Sequence, residues 1–185
     1  MNDDETDLGL RADEIHPTDA TCSLSLFENS YLGIKPCVMF NVDVECEEIE
    51  RDDDDDEFDG TLGIAIEGAR FQGKSWRDLD SFHLDNVECF TNIDDPDISV
   101  YFDTMHRRMG RLTIEVIQRR GDLVDLRIAA SEDIDDLGLD SFSVNVTATF
   151  TGVSATLTSK EVAVSDLIDL DGLVEGSPGH WSVPQ

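Results

Sequence analysis

Between Cys37 and Ile49 the chain reads CVMFNVDVECEEI, and its apolar residues fall at every second position. A period of two turns Val38, Phe40, Val42, Val44 and Cys46 to one side, and Met39, Asn41, Asp43, Glu45 and Glu47 to the other. No helix sorts these residues that way. A strand with one dry and one wet face is the mark of an antiparallel sheet, because parallel sheets are covered on both faces. On this reading Cys46 is a small core hydrophobe.

The same alternation recurs along the chain. TCSLSLF turns Cys22, Leu24 and Leu26 inward and Ser23 and Ser25 outward. TLGIAIEG does so through Leu62, Ile64 and Ile66, and ISVYF through Ile98, Val100 and Phe102. RLTIEVIQRRGDLVDLRIAA reads as a hairpin, with Leu112, Ile114 and Val116 on one arm, Val124, Leu126 and Ile128 on the other, and Gly121 at the turn. In SFSVNVTATFTGVSATLT, Phe142, Val144, Val146, Ala148 and Phe150 alternate with Ser, Asn and Thr, and Gly152 divides the stretch into two strands. Helix signals are few. Ser75 can cap a short helix with Asp78 in its first turn, in competition with a strand through Phe82 and Leu84. VSDLIDLDGLV reads as one short helix begun at Ser165.

These segments add up to about eight or nine strands with little helix, and predict an all-β fold: an antiparallel β-sandwich, or a partly open barrel. Strands do not alternate with long helices, and no fixed-period repeat occurs. At 185 residues the expected organisation is one domain over 19–174, with an Asp-rich loop at 51–60. An acidic flexible arm, 1–18, precedes it, and a turn-rich tail, 175–185, follows.

Charge narrows the function classes. Forty-two acidic residues against 13 basic ones give a net charge of −29. Such a field repels nucleic acid and anionic membranes and attracts cations or a basic protein. It also strains the fold by self-repulsion, which salt relieves. The excess of Asp over Glu and of Arg over Lys resembles the habit of proteins from saline surroundings. The distribution is uneven: residues 1–60 hold 20 acids and 3 bases, whereas 101–130 hold 4 acids and 6 arginines. Arg107, Arg108, Arg111, Arg119, Arg120 and Arg127 are expected to pair with acids of their own domain; the sharper reading is an anion site or partner contact.

Cys22, Cys37, Cys46 and Cys89 lack the paired spacing of a zinc site. The first residues lack the positive leader and apolar core of a signal peptide, and no apolar run approaches the roughly 18 residues of a membrane span. A soluble cytoplasmic chain with reduced cysteines is expected.

The aspartate runs pose the metal question. Calcium takes oxygen ligands, and loops between strands can supply them. The candidates are Asp52, Asp54 and Asp56 in RDDDDDEFDG, Asp94, Asp95 and Asp97 in DDPD, and Asp133 and Asp135 in EDIDD. Crowded like charges also repel one another, and a solvated loop or a hook for a basic partner is the competing reading. IDLDGL lacks the first aspartate and final glutamate of a helix–loop–helix calcium site.

Signals of catalysis are sparse. His83 stands near Asp80 and Asp85, as a general base with an orienting carboxylate would. No Ser or Cys stands in a nucleophile turn. His106 beside Arg107 and Arg108 is a candidate anion cluster. Gly68–Ser75 spells G-x-x-x-x-G-K-S after a strand, the pattern of a phosphate loop, but WRDLDSFHLDN is short and acidic where a long buried helix is required. Arg120–Gly121–Asp122, which spells an adhesion tripeptide, reads as a hairpin turn, and the Asn145–Val146–Thr147 sequon lies in a strand. Trp76 and Trp181 read as packing residues or interface anchors. The expected function is therefore non-enzymatic: a highly acidic interaction protein that engages a basic partner through surface charge. The alternatives are a calcium-binding sandwich and a nucleotide-binding enzyme acting through Gly68–Ser75.

Overall fold

The computed structural model describes residues 10–49, 61–102, 105–136, 138–157 and 162–184. Among them are ten strands: β1 (Pro17–Asn29), β2 (Ile34–Cys46), β3 (Leu62–Arg70), β4 (His83–Glu88), β5 (Asp97–Phe102), β6 (Met105–Arg120), β7 (Leu123–Asp133), β8 (Phe142–Ala155), β9 (Val174–Ser177) and β10 (His180–Ser182). Strands take 62% of the described residues and helical turns 8%, so the class is all-β.

Pairing runs β1–β2–β3–β5–β6–β7–β8, each pair antiparallel, and β8 then returns to β1. Seven strands alternating in direction end in the sense in which they began. The closing seam is therefore parallel, from Thr21 opposite Thr149 to Leu26 opposite Ala155. The expected sandwich, or partly open barrel, is instead a closed seven-stranded barrel with three added strands. Alternation states which face of each strand is dry, and a sandwich and a barrel satisfy it equally. What separates them is the seam, whose two strands lie at opposite ends of the sequence.

A barrel this narrow has an interior that side chains fill. Leu24, Phe40, Leu62, Ile64, Ile98 and Ile114 are fully buried there. Full burial of such a side chain contributes about 1.5–3 kcal/mol. The inward sets read from the sequence in β2, β6, β7 and β8 are all buried. Leu10 and Ile15, in the stretch read as an arm, belong to the same core.

The added strands share edges with barrel strands. β5 covers the first part of β6 and β4 the later part. β7 covers β8 as far as Thr149, and β10 covers Val153 and Ser154. The stretch expected as two strands, 142–155, is thus one strand bent at Gly152, where φ is +119°. A Cβ there would run into the carbonyl oxygen of Trp181, so glycine is what lets β10 approach. The tail accordingly carries the β9–β10 hairpin.

The two readings around Ser75 both occur, in succession. Ser75 caps a six-residue 3-10 helix, Trp76–Ser81, its Oγ accepting from the Arg77 N–H, while the Asp78 carboxylate accepts from the Lys74 and Ser75 N–H groups. β4 follows at once. The other short helix expected from the sequence, α1, is Val164–Leu167, preceded by Ala163 and not begun at Ser165. Asp166 accepts the Ala163 N–H and takes the capping part expected of the serine.

Candidate functional site

The two outer walls of the barrel treat charge differently. On the wall built by β6 and β7, acids and arginines meet across the strands. Glu115 lies opposite Arg127 in the register and bonds it at 2.8 Å. Arg120 bonds Asp125 at 2.9 Å, and Thr147 on β8 donates to the same carboxylate. Arg111 holds Glu132 at 2.7 Å and Glu88 at 2.9 Å. Arg108 holds Asp135 at 2.8 Å and lies over the Phe90 ring. Arg119 lies over Trp76, 4.4 Å from the ring centroid, and forks onto Asp80. The arginines of this stretch thus pair within the domain; Arg107 too has a partner.

The wall built by β1, β2, β3 and β5 is the reverse. Registers place Asp19 beside Glu45, Glu45 beside Gly63, and Gly63 beside Tyr101. One row along, Thr21, Asp43, Ala65 and Ser99 follow one another, and Glu67 stands opposite Asp97. Asp19, Asp43, Glu45, Glu67 and Asp97 form no ion pair among the described residues. Small residues, Gly63, Ala65 and Ser99, lie between them and are themselves buried.

Tyr101 is its largest aromatic feature among the described residues. Its ring lies flat over Gly63, where a Cβ would occupy the ring's own space. It also stacks with His106, ring centroids 5.3 Å apart. Burial pushes the Tyr101 hydroxyl above its usual range, and the Asp43 and Glu45 charges push it further. Burial also pushes the Asp43 carboxyl upward. Both displacements disfavour negative charge on these two groups. Asp43 and Glu45 were legible as outward residues; the packing of Tyr101 on Gly63 was not. Its signal was Gly63, a glycine inside a strand, which marks close approach of another group.

The candidate metal ligands are occupied otherwise. Asp94 bonds Arg70 at 2.6 Å. Asp95 closes the 91–95 turn, accepting from Thr91 and from the Asn92 N–H. Asp97 accepts from Ser99 Oγ. Asp133 accepts the Leu139 N–H, and Asp135 is held by Arg108. Among the described residues no three or more His, Cys, Asp or Glu side chains come together to hold a metal ion. Asp52, Asp54 and Asp56 lie outside the described residues.

The catalytic candidates are likewise dispersed. His83 is exposed at the start of β4, and its expected orienter Asp80 is engaged by Arg119. His106 stacks on Tyr101, while Arg108 beside it is turned to Asp135. Gly68 lies in β3, Gly73–Ser75 follows a short connection, and only the six-residue 3-10 helix comes after. Arg120–Gly121–Asp122 is the β6–β7 turn, with Gly121 at φ +72°. Trp76 is 5% exposed, stacks on Phe150 at 5.7 Å and donates to the Asp171 carbonyl. Trp181 is half-buried on β10. No helix of the described residues is long and apolar enough to cross a membrane.

No protein-family model, no curated protein and no solved structure matches the chain.

Proposed function

We propose that this chain is a non-enzymatic binding protein that engages a basic protein partner through the β1–β2–β3–β5 wall. One observation carries the reading. The arginines pair on the β6–β7 side, while five carboxylates on the other wall form no ion pair among the described residues, Asp97 alone feeling the charge of Arg108. Like charges crowded on one face cost stability by repulsion, and complementary charge from a partner would turn that cost into association rate and specificity. Tyr101 and His106 add ring faces beside carboxylates, a setting that favours a lysine or arginine side chain.

The test compares two triple variants on an immobilised lysine homopolymer. D43N/E45Q/E67Q removes three of the wall's five carboxylates; E115Q/D125N/E132Q removes the same charge from the paired side. The wall variant is expected to elute at clearly lower salt, and the control near the wild type, because its carboxylates already have partners. Equal shifts for both would reduce the matter to net charge and sink the wall as a site.

A further inference from the structure

The barrel surface is split between the end of β3 and β4. β5 accompanies β3 only as far as Glu67, so Gly68–Arg70 has β2 on one side and no strand on the other. β4 pairs with β6 alone. Two hollows of about 340 and 480 Å³ lie between these edges and share Arg70 and Leu84, which makes them one groove. Phe71, Phe82, Leu84 and Val87 give it an apolar floor.

Backbone groups on both banks face the gap. The Phe71 N–H bonds the Val38 carbonyl, so strand alternation turns the Arg70 N–H and C=O away from β2. The Val116 N–H bonds the Phe82 carbonyl, and the Cys89 N–H bonds Gly110. The same alternation turns the backbone groups of His83 and Glu88 away from β6. Between these two residues the register slips and Asn86 has φ +50°, a bulge that keeps the open row short. A short row suits one added segment and resists indefinite sheet stacking.

Charge selects the occupant. Asp78, Glu88, Asp94 and Asp95 line the groove, and its one arginine, Arg70, is bonded to Asp94. The chain's first nine residues, MNDDETDLG, carry four acids and would be repelled; a second copy brings −29. We propose that the groove takes an extended segment of a basic partner, its backbone paired with the open edge of β4, its apolar side chains on Leu84 and Val87, and its lysines or arginines at the acidic rim. This rests on the reading that the partner is basic, and it names the part of the partner that is held and how.

The experiment uses the full chain and two synthetic peptides of alternating lysine and valine. One has an ordinary backbone; the other is N-methylated at alternate residues, which keeps the charge and abolishes strand pairing. The ordinary peptide is expected to bind and to slow hydrogen exchange at the His83 and Glu88 amides. The methylated peptide is expected to bind at least about tenfold more weakly, and V87K to weaken the ordinary peptide by about tenfold. E88K repeats that test should V87K fold poorly. Equal affinity for both peptides, or unchanged exchange at both amides, overturns the proposal. If D43N/E45Q/E67Q abolishes peptide binding and V87K does not, the segment lies on the wall: the groove fails and the basic-partner reading stands. If neither peptide nor the lysine homopolymer binds the wild type, both fail.

Discussion

Gly63 and Tyr101 show how much one missing side chain decides. With no Cβ at Gly63, the ring lies on the sheet and keeps Asp43 and Glu45 close to an aromatic face. Gly63→Ala is expected to lift the ring and destabilise the fold by about 1–3 kcal/mol, the cost of an overpacked site, as urea unfolding would measure. Protonation separates the two walls by sign. Hydrogen bonds from Arg108 hold the Asp135 carboxyl below its ordinary range. Its contribution is therefore complete above the unfolded value, near pH 4, and is lost as pH falls through the lower folded value. Burial raises Asp43 instead, so its ionisation opposes folding at neutral pH, and that opposition fades as pH falls. Thermal unfolding across the acid range should show D135N less stable than the wild type at neutral pH and D43N more stable, with both gaps closing in acid. A D43N gap that stays constant with pH would contradict the assignment. The outward aspartates were legible because alternation names the wet face; which of them lacked partners was not, since pairing depends on the strand laid alongside.

At the scale of elements, β8 joins three neighbours: β7 and β10 in succession on one edge and β1 on the other. Gly152 makes the change of neighbour feasible. Gly152→Val would oppose both its φ of +119° and the Trp181 carbonyl, and is expected to release β10 while leaving the barrel closed. Trp181 fluorescence should then shift towards that of a solvated indole, with strand circular dichroism largely kept. Loss of the whole fold would show that the hairpin is part of the barrel's own stability. The elements read correctly from sequence were those whose alternation ran unbroken, such as Val38 to Cys46 and Phe142 to Phe150. The tail hairpin went unread because His180–Ser182 has only three residues, too few for a period to register. The single strand at 142–155 was read as two because a glycine that ends a strand and one that bends it look alike.

For the whole molecule, net charge is the governing quantity. Self-repulsion at −29 should make the melting temperature rise with ionic strength. With every candidate metal ligand among the described residues already bonded within the chain, calcium and magnesium at the same ionic strength should raise it equally. A shift peculiar to calcium would return attention to Asp52, Asp54 and Asp56. The barrel itself was beyond the sequence for a related reason: closure joins Thr21–Leu26 to Thr149–Ala155, and no short stretch records that pairing.

That parallel seam also bears on how the protein is made. A chain emerging from the ribosome carries β1 long before residue 142, where β8 starts. Through most of synthesis β1 has one edge with nothing to join, the condition under which nascent strands stick to one another. The first sixty residues carry 20 acids against 3 bases. Two such unfinished chains would meet charge against charge during the wait, and β8, arriving late, is the clasp that ends it.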